Sequence, residues 1–144
     1  MENNKDFYPD IIKNLPDAKI PFKGMKGKIL QADNQQLVFF EISPTGELEP
    51  HSHSAQWGVV LEGEMELTVG DKTTILKAGD LAFGPRGIPH SWKIVGDKKA
   101  KVILSVFPAG IELMFDELGK LPPEPMDFPK VAAICGRYGI NFLT

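Results

Sequence analysis

The feature that most constrains this chain is a succession of short β-like runs between Lys28 and Phe107, with no helical pattern between them. GKILQA, QLVFFEI, QWGVVLEG, EMELTV, TTILKA, HSWKIV and AKVILSVF are each 6–8 residues long and rich in β-branched or aromatic residues. Gly, Pro, Asn and Asp punctuate them, as strand boundaries require. Met65, Leu67 and Val69 alternate with Glu64, Glu66 and Thr68, so that run has one wet face. Gly70-Asp71 stands where a two-residue hairpin loop belongs. Regular short strands with turn signals predict an all-β sandwich or barrel. Two runs, Trp57 to Leu61 and Val102 to Leu104, are apolar on both faces. A small barrel wets its outside, so these need a cover from the arm, the tail or a second subunit.

The flanks read differently. Residues 1–27 are polar, with prolines at 9, 16 and 21, and predict an irregular arm with one helical turn at Asp10–Asn14. After Pro108 the period changes: Ile111, Met114, Phe115 and Leu118 form a helical stripe that Gly119 stops. Val131, Ile134, Cys135 and Tyr138 repeat that spacing, with Asp127 as cap and Gly139 as stop. The chain is thus expected to be a single domain: an arm (1–27), a β-barrel (28–108) and a C-terminal helical extension (109–144). At 144 residues it is long enough to bury a core without disulfide or structural metal. Cys135 is the only cysteine, lies in a helical stripe and reads as core packing rather than a reactive thiol.

Charge and hydropathy narrow the function classes. Sixteen Lys+Arg against 19 Asp+Glu are spread along the chain, without the clustered basic face of a nucleic-acid binder. No apolar run is long enough to span a membrane, and MENNKDFYPD lacks the apolar region of a secretory signal. A cytoplasmic protein is expected. Neither a catalytic triad nor a phosphate loop is written in the sequence.

All three histidines fall in two short segments. His51 and His53 open a strand as His-Ser-His, where an i, i+2 pair shares a face. His90 follows Pro85-Arg86-Gly87-Ile88-Pro89. Three imidazoles make a good facial set for a divalent transition ion; the plainer reading is two surface histidines and one that caps a turn. Trp92, two beyond His90, is expected to line the same cavity. Phe83 and Leu81 stand at even offsets before Pro85 as another wall. Glu49 shares parity with His51 and is the candidate general base, with a solvated loop carboxylate as the plainer reading. Arg86 reads as a solvated turn residue.

Together these segments resemble the two motifs of the cupin superfamily. GELEPHSHSAQWGVVLEG, from Gly46 to Gly63, is similar to the first, with four residues rather than five between Gly46 and His51, and with Gln56 where the family usually has Glu. GDLAFGPRGIPH, from Gly79 to His90, matches the second at Gly79, Pro85, Gly87 and His90, with Ile94 in place of the final Asn. Fifteen residues separate Gly63 from Gly79, as in small bacterial single-domain cupins. The resemblance implies a jelly-roll β-barrel with a short helical tail. It also implies one divalent metal (Fe, Ni, Zn, Mn or Cu) on His51, His53, Gln56 and His90. Gln56 follows His53 by three residues, so it needs a bulge at Ser54-Ala55 to face the metal; otherwise it is a hydrogen-bonding side chain beside it. Some KdgF-like relatives carry Gln here, and the tail resembles quercetin-dioxygenase-like cupins. Three His and a Gln leave the ion's full +2 charge, which favours anionic ligands such as carboxylates, enolates or ring-opened sugar acids.

The expected function is a metal-dependent enzyme on a small carbonyl, enol or sugar-acid substrate, by isomerase, ring-opening or dioxygenase chemistry. The alternative is a non-catalytic small-molecule binding or sensor cupin. The expected partners are that small molecule and a second copy in a homodimer.

Overall fold

A computed structural model describes residues 10–44, 47–52, 56–122 and 125–142, with residues 47–52 described as backbone. Among the described residues, ten strands form two five-stranded sheets. The strands are β1 (Met25–Ala32), β2 (Gln35–Ile42), β3 (Glu47–Ser52), β4 (Gln56–Glu62), β5 (Glu64–Val69), β6 (Lys72–Lys77), β7 (Leu81–Gly84), β8 (His90–Val95), β9 (Ala100–Val106) and β10 (Asn141–Phe142). One sheet runs β1-β2-β9-β4-β7 and the other β10-β3-β8-β5-β6, and every pairing is antiparallel. This is the jelly-roll architecture that the spacing of short strands predicts.

Local chemistry explains the turns. Val69 pairs with Lys72 across Gly70-Asp71, and Gly70 has φ +60°, the left-handed conformation that the first central residue of a tight hairpin loop uses. Where β4 crosses β9, a Cβ on Gly58 would stand 2.7 Å from the Ile103 carbonyl oxygen, so only glycine allows this close approach.

The core lies between the sheets. Val38, Ile42, Val60, Met65, Ile94 and Val102 are buried there. The opposite face of β2 carries Glu41, only 2% exposed, whose carboxylate lies 3.0 Å from Lys99 and 3.8 Å from Lys26. Lys101, its register partner on β9, is also buried and lies 3.4 Å from Glu62. Opposite charges on facing strands let these groups leave water as pairs.

Three helices flank the sheets: α1 (Asp10–Lys13), α2 (Ile111–Gly119) and α3 (Phe128–Arg137). α1 falls within the helical turn expected at Asp10–Asn14, and α2 and α3 lie where the hydrophobic stripes place them. Asp127 caps α3 by accepting from the Lys130 amide at 3.2 Å. Gly110 supplies no side-chain cap to α2, and Gln36 of β2 acts in its place. Its Oε1 accepts from the Gly110 and Ile111 amides at 2.9 and 3.1 Å, and its Nε2 donates to Gln31 and Glu112. The tail is not only helical: β10 returns to pair with β3, setting Phe142 opposite His51.

Candidate functional site

His90 opens β8 and is 7% exposed. Its Nδ1 lies 3.1 Å from the Ile88 carbonyl oxygen. A carbonyl only accepts, so Nδ1 donates in that hydrogen bond. Metal-ligating histidines are held in this way, with one ring nitrogen donating to a fixed acceptor. The ring rests on Gly84 of β7: a Cβ at that position would meet His90 Cε1 at 3.2 Å and both ring nitrogens at 3.5 Å. Glycine at 84 therefore gives the imidazole its seat.

Gly84 pairs in register with Gln56, the first residue of β4. Residues paired across a ladder share a face, and Gln56 and His90 line one cavity. Gln56 begins its own strand, so its orientation follows from pairing with β7 rather than from alternation beyond His53. The expected bulge at Ser54-Ala55 lies outside the described residues, as does His53. His51 is the register partner of His90 on the neighbouring strand. It stands next to last in β3 rather than opening a strand, and its side chain is not among those described. Of the four expected ligands, Gln56 and His90 thus share a cavity, and His51 holds the strand position facing His90. Among the described residues no cluster of three His, Cys, Asp or Glu is present. What is described fits a metal ligand: a buried, oriented imidazole with an amide oxygen donor lining the same cavity.

The remaining candidates divide. Trp92 lines the cavity and packs against the core. Phe83 also lines it, yet is 53% exposed, and its register partner Trp57 is 47% exposed; the two form a half-open rim. Leu81 is 61% exposed and is not a lining residue. The wall on β7 is made by Ala82 and Gly84, with Phe83 at the rim, because the register sets Gly84 with Gln56 and carries Leu81 beyond the cavity. β3 shifts register between Leu48, paired with Trp92, and His51, paired with His90. Simple alternation does not carry across that irregularity, so parity no longer ties Glu49 to His51; the Glu49 side chain lies outside those described. Arg86 is exposed.

The cavity measures about 140 Å³. Much of its lining comes from segments outside the two motifs: Phe22 before β1, Ile111, Met114 and Phe115 of α2, Cys135 of α3, and Phe142 of β10. The helical stripes signalled that the tail packs on the β-domain; nothing in them signalled that it closes the cavity. Cys135 is buried, and desolvation pushes its thiol pKa up to about 11, so it is held as an inert thiol.

Comparison with known proteins agrees with this geometry. A family model described as a cupin domain matches residues 38–107. A germin-like protein, subfamily T member 2, of Arabidopsis thaliana is 33% identical over 106 residues, covering 67% of this chain and 45% of that protein. The H2HPP isomerase of Bacillus subtilis is 32% identical over 76 residues, covering 51% of this chain and 32% of its own length. The chain therefore spans less than half the length of these curated relatives. Among solved structures, an RmlC-like cupin from Shewanella frigidimarina superposes with TM-score 0.62 at 21% identity, over 77% of this chain and 96% of that one. KdgF from a Halomonas species gives 0.56 at 20% identity, over 64% and 86%. At such identities the superpositions speak to fold alone.

Proposed function

The chain belongs to the cupin superfamily, and from that premise we propose that it is a metal-binding cupin acting as an enzyme on a small carbonyl- or enol-bearing substrate. In this reading His51, His53, Gln56 and His90 hold one divalent transition ion. The observation that carries it is His90: buried in the cavity wall, fixed through Nδ1 by the Ile88 carbonyl, and lining one cavity with Gln56. A bound divalent ion would polarise a carbonyl and acidify a coordinated water. The protein's part is to seat the imidazole on Gly84, to present the Gln56 amide, and to exclude water with the carbon-rich walls. Glu49 is the proposed general base. The relative named as an isomerase supports an enzymatic role over a purely structural one.

One observation favours a second reading, a non-catalytic binding protein: among the described lining residues only His90 and Cys135 carry a titratable side chain. The test is turnover by the metal-loaded chain. Solvent-deuterium exchange into 2-oxo acids followed by NMR, with oxygen uptake on enols in parallel, should show catalysis that Glu49→Gln slows. Binding without exchange or uptake would leave the binding protein.

The proposal includes a cytoplasmic homodimer. No described helix is long and apolar enough to cross a membrane. The pairs Trp57–Phe83 and Val59–Leu81 put apolar side chains on one face of β4–β7, three of them about half exposed or more. A second copy is the proposed cover.

A further inference from the structure

Among the described residues the cavity is lined chiefly by carbon and sulfur, with few polar side chains. Among the described lining residues there is no Asp, Glu, Lys, Arg, Ser, Thr, Tyr or Asn. Besides Gln56 and His90, the polar atoms are the Cys135 thiol and the indole nitrogens of Trp57 and Trp92. Phe40, Met65, Leu67, Leu104, Met114 and Phe115 form the walls. A ligand hydroxyl placed against them would give up its water partners and find none in return. The cavity's volume, about 140 Å³, is close to that of a ~150 Å³ apolar cavity that accommodates benzene. Methionines at 25, 65 and 114 supply flexible, polarisable contacts suited to a flat ring.

The geometry points to a compact hydrophobic carboxylate or enolate as the ligand. It carries one six-membered ring or a branched hydrocarbon body, with its oxygens confined to one end. The oxygen-bearing end meets the Gln56–His90 region, and the body lies among Phe40, Leu67, Trp92 and Met114. The head-group assignment rests on the metal reading above; the body assignment rests on the walls alone. Within the expected substrate range, this selects carbonyl and enol compounds over polyhydroxylated sugar acids.

Calorimetric titration of the full chain, metal-free and zinc-loaded, tests this with three probes: 3-phenylpropanoate, gluconate and benzyl alcohol. The expected result is that zinc-loaded protein binds 3-phenylpropanoate at least tenfold more tightly than gluconate. Benzyl alcohol should bind both forms equally. Gluconate binding as tightly as 3-phenylpropanoate, or zinc uptake with no aromatic binding, would overturn the ligand assignment while leaving the metal site standing. Failure to take up zinc, with both aromatics still preferred over gluconate, would support the hydrophobic body and overturn the metal-held head. Leu104→Phe, which fills the cavity beside Gly58, two residues along β4 from Gln56, should abolish aromatic binding and leave zinc affinity unchanged. Aromatic binding unaltered by that variant would place the ligand elsewhere and overturn the proposal.

Discussion

Gly84 and His90 form a pair in which the smaller residue sets the position of the larger. A methyl at 84 would press on the imidazole at 3.2 Å with no backbone atom in its way, so the ring must yield. Gly84→Ala should therefore keep the fold but weaken divalent-metal affinity by ~10-fold or more, the usual effect of disturbing a ligand's support. Competition against a chromophoric chelator measures this, with far-ultraviolet circular dichroism as the control. Unchanged affinity would mean that His90 is not a ligand. Cys135 supports a prediction of a different kind. Its folded pKa, about 11, lies above the unfolded value of 9.0. The unfolded thiol thus releases its proton first. The contribution of the buried neutral thiol is complete below pH 9 and is lost as pH rises towards 11. Urea unfolding between pH 8 and 11 should show stability falling, with a shallower fall in Cys135→Ala. The two His-bearing segments were readable because their chemistry is local: short spacings of His, Gly and Pro carry it. The seat at Gly84 was not, since it joins β7 to β8 through space. Leu81 was misplaced because even offsets from Pro85 ignore which β7 residue pairs with Gln56.

At the scale of elements, α2 depends on a residue 74 positions away, since Gln36 of β2 caps it through Gly110 and Ile111. Gln36→Ala removes the acceptor for two amides and a donor to Gln31 and Glu112 from a site only 1% exposed. The expected cost is roughly 2–4 kcal/mol, and α2 amides should be the first to lose protection in hydrogen exchange. Equal protection in both proteins would show that packing alone seats the helix. The ion pairs on the β2–β9 ladder make a parallel case. Glu41→Ala removes the buried carboxylate that lies against Lys99 and Lys26, both themselves about half exposed or more, and should destabilise by only about 1 kcal/mol, read from the urea midpoint. Helix stripes and strand runs were legible because periodicity is written in consecutive residues. The Gln36 cap, the buried Glu41 and the return of β10 to β3 were not, because each joins residues far apart in sequence.

At the scale of the molecule, the two sheets, the arm and the tail together line a largely apolar cavity that Gln56 and His90 share. The arm and tail contribute to the inside of the cavity, as Phe22, Met114 and Phe142 show. The apolar face of β4–β7 stays exposed at Trp57, Leu81 and Phe83. Sedimentation at micromolar concentration should accordingly give about twice 15.9 kDa, and Leu81→Lys should shift it towards 15.9 kDa. The most direct test of the central claim is the metal content of untagged protein by plasma mass spectrometry, in the wild type and in His90→Ala. The wild type should hold close to one divalent transition ion per chain, and the folded variant should lose it. Equal metal in both, or a wild type that refuses every added divalent ion, would contradict that claim.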